Sequence, residues 1–348
     1  MPTKLQGVVV GLGTMGSYHL RVLAALPDVE LVALVDPSRD RRDAAARWAP
    51  GARAFASLEE ALGVTQPDFA CLSAPVADLP GLAAETIAAG VALLVEKPLA
   101  LSVDEAVQVV RAAEAAGVPL TVGHVERFNP AVVDLRRRLQ AGAGGHIYQI
   151  HARRLSPFPA RESMTGVALD LATHDLDVIR TLTGSEVTRV HAETARRPGS
   201  RVEDLVSASL RLDSGTAAVL ETNWVTPTKV RALTVTGEEG MFVVDYLTQD
   251  LSFFENPRAN IEWDTIAVMR GTGEGNMTRY AIERREPLRI EWESFLGALR
   301  DGSPPEVSGW DGVAALSIAR AIQRSGEDHV PHVPDYRAIE QLPVPPAV

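Results

Sequence analysis

Short apolar runs alternate with helix-forming segments along the first third of the chain. The apolar runs are rich in β-branched residues and favour strands, predicted at 5–10, 30–35, 68–73, 91–95 and 119–123. Helices are predicted between them, at the alanine-rich stretches 41–49 and 81–89 and at 103–116. Ser102 and Glu105 form a capping box that opens the last helix, and Gly117 closes it. Strands that alternate with helices indicate a doubly wound parallel sheet, the α/β class.

The pattern changes beyond residue 124, where strands follow one another with few helices between them. Strands are predicted at 146–155, 186–195, 204–212, 215–223, 230–236, 240–246 and 249–254, and helices at 130–141, 167–183, 287–300 and 310–325. Asp213-Ser214-Gly215 has the composition of a hairpin turn, and the polar segment 255–286 is predicted as a long loop. The pattern indicates an α+β domain with a large, mostly antiparallel open sheet. The predicted domains are therefore 1–123 and 124–348.

Composition excludes several classes of protein. A formal charge of −11 argues against a nucleic-acid surface, and no apolar run is long enough to span a bilayer. Cys71 is the only cysteine, so no disulfide can form within the chain, and a reducing, cytoplasmic location is expected. The first strand starts so early that no room is expected for a signal peptide.

A glycine-rich turn follows the first predicted strand. The stretch Leu5 to Gly16 reads LQGVVVGLGTMG, in which Gly11, Gly13 and Gly16 form G-x-G-x-x-G between a strand and a helix. This context is typical of a dinucleotide site, where the diphosphate binds the N-terminus of the helix. Asp36 ends the second strand and is placed to accept hydrogen bonds from the adenosine ribose, which favours NAD over NADP. Arg39 lies nearby and weakens the preference for NAD. The alternative interpretation of the glycine motif is a turn in another kind of α/β unit.

Glu96-Lys97-Pro98 follows the fourth predicted strand, at the edge of the sheet where a nicotinamide would lie. A lysine there can donate a hydrogen bond to a substrate hydroxyl and stabilise a developing alkoxide. The tripeptide by itself favours the alternative, a surface lysine that begins a loop.

Polar residues recur on the helix predicted over 167–183. Asp170 and His174 are spaced i and i+4, and Asp177 is i+7, so the three are expected on one face. An imidazole beside a carboxylate is suited to abstracting a hydroxyl proton near neutral pH. A solvated helix face is the alternative. A metal site would need further ligands, and no metal is predicted.

Arginines cluster near the end of the strand 146–155. Arg153 and Arg154 end this strand and Arg161 follows, so in an acidic chain they are candidates for an anionic substrate. Lys229 and Arg231 are a second candidate pair. Ordinary surface arginines are the alternative.

Together GLGTMG, Asp36, Glu96-Lys97-Pro98 and Asp170-x-x-x-His174 resemble the Gfo/Idh/MocA oxidoreductases, in order and spacing, over essentially the whole chain. The resemblance implies a Rossmann domain, a second domain whose open sheet forms a homo-oligomer (dimer or tetramer), and a cis peptide between Lys97 and Pro98. It implies catalytic roles for Lys97 and His174, with Asp170 beside them, at the carbon that carries the hydroxyl. The cofactor contacts that it implies are Gly11, Leu12, Gly13, Thr14, Met15, Gly16, Asp36, Arg39, Ser73, Pro75, Glu96 and Lys97.

Four stretches are most similar to the sugar-nucleotide branch of that family, which oxidises UDP-N-acetylglucosamine or its uronate at C3. They are GHVERFNP (123–130), RRLSPFPAR (153–161), NWVTPTKVR (223–231) and MFVVDY (241–246). The resemblance therefore predicts NAD-dependent oxidation of a sugar secondary alcohol, with Lys97, Arg154, Arg161, Asp170 and His174 as substrate contacts. The alternatives are a dehydrogenase of a free inositol, aldose or imine, and a non-enzymatic dinucleotide-sensing regulator.

Overall fold

The computed structural model describes residues 4–158, 165–257 and 275–338, and within them the chain forms two compact units. The first unit contains the described residues up to Val125, Glu286–Ser317 and the described residues from Asp335 on; the second contains the described residues between Glu126 and Arg285 together with Ile318–Pro334. The sequence divided the chain once, at residues 123 and 124. The units divide at Val125 and Glu126, and Glu286–Ser317 belongs to the first unit.

Six parallel strands form the sheet of the first unit, in the order β3-β2-β1-β4-β5-β6. They are β1 (Leu5–Val10), β2 (Val29–Val35), β3 (Arg53–Phe55), β4 (Phe69–Leu72), β5 (Ala92–Val95) and β6 (Leu120–Val122). The doubly wound α/β prediction is confirmed, and the order reverses between β1 and β4, which is where ligands bind in such sheets. The pattern missed β3, because this edge strand has three residues and two of them are exposed.

Helices of the first unit pack on this sheet. They are α1 (Thr14–Ala24), α2 (Arg39–Ala45), α3 (Leu58–Leu62), α4 (Leu79–Ala88), α5 (Val103–Ala116) and α8 (Pro287–Asp301). The capping box of Ser102 and Glu105 is present, and Gly117 ends α5 with φ +66°, as predicted. The apolar core extends from Val9 and Leu94 on the sheet to the fully buried Trp292 of α8, so residues from both ends of the chain stabilise this unit.

Eight strands form the sheet of the second unit, in the order β14-β13-β12-β11-β7-β10-β9-β8. They are β7 (Ile147–Leu155), β8 (Val187–Ala195), β9 (Leu205–Leu212), β10 (Ala217–Asn223), β11 (Val230–Gly237), β12 (Gly240–Asp245), β13 (Asp250–Glu255) and β14 (Met277–Arg279). All neighbours are antiparallel except β7 and β10, and the predicted hairpin joins β9 to β10. The segment predicted as a loop contains β14, and its residues 258–274 lie outside the described residues.

The described helices of the second unit include α6 (Pro130–Gln140) and α7 (Thr173–Thr183). The predicted helix 167–183 is not uniform: Ala168–Ala172 form one π-helical turn before α7 begins. Gly184 ends α7 with φ +60°. A further helix, α9 (Gly309–Asp328), belongs to the first unit up to Ser317 and to the second from Ile318. None of the helices in the described part of the chain has the length and hydropathy to cross a membrane.

Candidate active site

Glycine positions in the turn between β1 and α1 differ in what surrounds them. Gly11 has φ +84°, and a Cβ there would lie 2.6 Å from the backbone nitrogen of Ala74. A Cβ on Gly16 would lie 1.8 Å from the carbonyl oxygen of Gly11, so close packing of helix against turn excludes any side chain. Gly13 has open space instead, with nothing within 4 Å of its Cβ position, and it caps α1 without a side-chain hydrogen bond. The turn therefore has the open approach and uncapped helix N-terminus that a diphosphate needs.

Asp36 follows β2 and is 2% exposed. Its Oδ2 accepts a hydrogen bond from the backbone N–H of Leu12 (2.8 Å), and its Oδ1 accepts one from that of Ser38 (2.8 Å). The carboxylate thus holds the glycine turn against the end of β2, and its Oδ2 also lies 3.6 Å from Nη1 of Arg41. Arg39 is largely exposed and lies 3.7 Å from the carboxylate of Asp43.

Two other predicted cofactor residues follow β4. The Ser73 hydroxyl donates to the carbonyl oxygen of Gly11 (2.8 Å), so it supports the turn from the neighbouring strand. Pro75 is exposed, two residues further along. The predicted cofactor residues of this unit, taken together, fit a dinucleotide at the carboxyl ends of β1, β2 and β4.

Lys97 lies just beyond β5 and is partly exposed, whereas its neighbours are buried. The Lys97–Pro98 peptide is cis, as the resemblance implied. Glu96 is 7% exposed, and its two oxygens contact different groups: Oε1 lies 2.8 Å from Nε2 of His19, and Oε2 accepts the backbone N–H of Lys97 at 3.0 Å.

His19 and Trp292 are buried polar contacts of this segment that the sequence reasoning missed. A signal for His19 existed: it lies on the buried face of α1 with Gly16, Leu20 and Leu23, where an imidazole needs partners. No pattern in the sequence indicated a role for Trp292, because its helix α8 lies beside α1 only in the folded protein.

Asp170 and His174 lie at the start of the predicted helix and are partly exposed, among neighbours that are mostly buried. Asp170 falls in the π-helical turn, a feature that often occurs at functional sites. Asp177 does not share their exposure. It is fully buried and accepts a hydrogen bond from Nε of Arg127 at 3.0 Å.

The π-helical turn is anchored at its start by Glu203, which is 6% exposed. The Glu203 carboxylate accepts the backbone N–H of Ala168 (3.1 Å), and its carbonyl oxygen accepts that of Val167 (3.0 Å). A Cβ on Gly166 would lie 2.1 Å from this carboxylate, so glycine is required there. The loop before β9 therefore determines where the helix begins.

Arg154 is 3% exposed and lies in a buried ion-pair cluster. Its Nε and Nη2 donate to the two carboxylate oxygens of Asp175 (2.6 and 3.0 Å), and Nη1 donates to Glu126 (2.8 Å). Burial, the largest effect, lowers the pKa of Arg154, but Asp175 and Glu126 outweigh it and raise the pKa above its usual value. Burial also raises the pKa of Tyr246, which lies beside Asp175. Arg154 thereby ties β7 to α7.

Arg231 is the register partner of Arg154 on β11 and is more exposed. Its Nη1 donates to the carbonyl oxygens of Leu155 (2.7 Å) and Val230 (2.8 Å). Burial and the charge of Arg154 lower the pKa of Arg231 to about 10, and Asp170 is among the carboxylates that oppose this shift. Arg161 lies outside the described residues. Within those residues no group of side chains is arranged to hold a metal ion.

Comparison with protein families gives two matches. Residues 5–124 match the model described as "Oxidoreductase family, NAD-binding Rossmann fold", and residues 132–243 match the GFO/IDH/MocA C-terminal domain.

Individual relatives cover nearly the whole chain. UDP-N-acetylglucosamine 3-dehydrogenase from Acidithiobacillus ferrooxidans is 28% identical over 315 residues, which are 90% of this chain and 95% of the relative. A crystal form of that enzyme superposes with a TM-score of 0.83 over 93% of this chain and 98% of the other. Myo-inositol dehydrogenase Hyg17 from Streptomyces leeuwenhoekii is 33% identical over 319 residues, 87% of this chain and 97% of the relative. The WlbA dehydrogenase from Bordetella pertussis, in complex with NADH and UDP-GlcNAcA, is 24% identical with a TM-score of 0.80 over 99% of both chains, a likeness of fold.

Proposed function

The chain belongs to the GFO/IDH/MocA oxidoreductases, and from that membership we propose that it oxidises a secondary alcohol of a UDP-sugar, such as UDP-N-acetylglucosamine at C3, with NAD. One observation of the site carries the proposal: Asp170 and His174 are partly exposed on a helix whose other neighbouring residues are mostly buried. A related UDP-N-acetylglucosamine 3-dehydrogenase supports the substrate class.

His174 has the role of the general base. Its imidazole takes the proton of the substrate hydroxyl, and the Asp170 carboxylate, one turn earlier, favours the imidazolium that forms. The ammonium of Lys97 donates a hydrogen bond to the hydroxyl oxygen as negative charge develops on it. When bound, NAD supplies the acceptor for the hydride that leaves the same carbon.

NAD is proposed rather than NADP because the oxygens of Asp36 suit a ribose diol and repel a 2′-phosphate. Asp36 also accepts the Leu12 N–H, so the residue that selects the ribose fixes the turn that receives the diphosphate.

The anionic part of a UDP-sugar needs cationic partners in an acidic chain. The sequence pattern indicates Arg154 and Arg161 as these cationic partners. Because the guanidinium of Arg154 is bound by two carboxylates, we assign it to holding α7 in place. Arg231 has no hydrogen-bond partner for Nε or Nη2 among the described residues, so it joins Arg161 as the proposed diphosphate contact.

A free inositol is the second candidate substrate, since an inositol dehydrogenase is also a relative, at 33% identity. Such a substrate carries no phosphate and has no need of the arginines.

The experiment measures NADH formation by the purified protein with UDP-sugars, inositols and aldoses, each with NAD and with NADP. We expect turnover with NAD and a UDP-sugar, and a loss of kcat of about 10²- to 10⁴-fold in His174→Asn and Lys97→Met. Retained NAD binding in His174→Asn, which removes no proposed cofactor contact, shows that its loss of kcat lies in the chemical step. Turnover with inositols alone would refute the UDP-sugar assignment, and full activity of both variants would refute the assigned roles.

A further inference from the structure

His19 lies in the buried interior of the first unit, between two polar partners. The indole Nε1–H of Trp292 donates to Nδ1 of His19 at 2.9 Å, and Nε2 of His19 lies 2.8 Å from Oε1 of Glu96. His19 and Trp292 are both fully buried. The two rings meet edge to face, with centroids 5.7 Å apart, so packing and hydrogen bonding orient the imidazole together.

The direction of the hydrogen bonds follows from the donors available. An indole N–H can only donate, so Nδ1 of His19 must present its lone pair to Trp292. The remaining proton of a neutral imidazole then lies on Nε2 and is donated to Glu96. Trp292 therefore selects the tautomer of His19, and that tautomer supplies Glu96 with a donor.

Glu96 also contacts the next residue along the chain, Lys97. Its other oxygen, Oε2, accepts the backbone N–H of Lys97 at 3.0 Å. A Cβ on Gly123 would lie 3.2 Å from the same carboxylate, so the group is closely packed on that side as well. A chain of hydrogen bonds therefore links α8 to the backbone N–H of Lys97. It runs from Trp292 through His19 and Glu96.

We propose that His19 and Trp292 are positioning residues for Lys97, acting through the carboxylate of Glu96. The inference rests on the catalytic role proposed for Lys97. Neither residue touches the substrate; their effect is to fix the orientation of the segment that carries the ammonium.

Charged and titratable neighbours of His19 affect the protonation of its imidazole, and their effect opposes that of the Trp292 indole. Burial, the largest effect, lowers the pKa of His19, and Cys71 on β4 and Glu96 act in the opposite direction. Glu291 on α8 acts on the same Cys71. While Trp292 donates to Nδ1, a second proton there would set two N–H groups against each other, so the imidazole stays neutral. Loss of the indole donor removes that opposition.

A matched pair of variants tests the positioning role. His19→Gln places an amide N–H near the position of Nε2 and can still donate to Glu96, whereas His19→Leu cannot. We expect His19→Leu to lose kcat by about 10- to 100-fold with KM for the sugar little changed, as is typical when an orienting partner is removed, and His19→Gln to recover most of it.

Nitrogen NMR on the wild type and on Trp292→Phe gives a readout that does not depend on turnover. In the wild type the shifts of His19 should show Nε2 protonated and Nδ1 bare throughout the range of about pH 6 to 8. In Trp292→Phe, His19 should take up a second proton in the same range.

A doubly protonated His19 in the wild type would overturn the proposal. So would a His19→Leu enzyme with wild-type kcat when Lys97→Met is inactive. If Lys97→Met is itself fully active, the role assigned to Lys97 fails instead, and the NMR result still decides whether Trp292 sets the tautomer of His19.

Discussion

Replacing Arg154 by methionine separates two roles that an arginine at this position can have. The change removes the guanidinium but keeps most of the aliphatic volume. It leaves Asp175, which is fully buried, and Glu126, whose side chain is 17% exposed, without the cation that makes three hydrogen bonds to them. The structure therefore predicts a loss of folding stability, whereas a direct substrate contact would show itself in KM.

The expected size follows from the burial of the pair. Removing one partner of a buried ion pair costs about 3–5 kcal/mol, because the other charge is left uncompensated in the interior. In a unit of this size each kcal/mol lowers the melting temperature by about 2–4 °C, so Arg154→Met should melt about 6–20 °C below the wild type. Scanning calorimetry and urea unfolding measure the two quantities.

Arg231→Met is the matched control, since Arg231 is the neighbour of Arg154 in register but is more exposed and bonds only to carbonyl oxygens among the described residues. We expect it to lose about 1 kcal/mol or less and to raise KM for a UDP-sugar. Adding Asp175→Asn to Arg154→Met should restore part of the lost stability, because one uncompensated charge is removed. An Arg154→Met protein with unchanged unfolding and a raised KM would refute the structural role.

Three further changes test other parts of the molecule. Burial raises the pKa of Tyr246, so the stability that this phenol contributes is complete below about pH 10. Above that pH the free energy of unfolding should fall by about 1.4 kcal/mol per pH unit. Urea unfolding across that range should show a shallower fall for Tyr246→Phe, and equal slopes for the two proteins would contradict the burial argument. Gly13→Ala should keep the wild-type melting temperature but bind NAD more weakly, as measured by fluorescence titration. Gly16→Ala, whose Cβ would lie 1.8 Å from the Gly11 oxygen, should lower both the melting temperature and the affinity for NAD. Unchanged NAD binding in Gly13→Ala would place the diphosphate elsewhere. Asp36→Asn keeps an oxygen for the Leu12 N–H, turns its amide NH2 toward the Ser38 N–H and removes the charge. The ratio of kcat/KM for NAD over NADP should therefore fall, and an unchanged ratio would show that Asp36 does not select the cofactor.

Local signals predicted most of the secondary structure because the relevant forces act over a few residues. The capping box at Ser102 and Glu105 satisfies N–H groups within one turn of α5, and Gly117 and Gly184 end their helices by adopting positive φ. The same local chemistry misses β3, which is short and exposed. It also misses the π-helical turn at Asp170, whose start depends on Glu203 from a distant loop.

The sequence by itself determined the dinucleotide fold, the position of the glycine turn and the placement of Asp170 and His174 four residues apart near the start of one helical segment, since each depends on spacing along one stretch of chain. Only the tertiary structure decided that Arg154 is committed to Asp175 and Glu126, and that Trp292 reaches His19 across 273 positions. The physical reason is that a buried charge or imidazole must find its partner in space. The identity of that partner depends on which strands and helices pack together, and spacing along the chain does not carry that information.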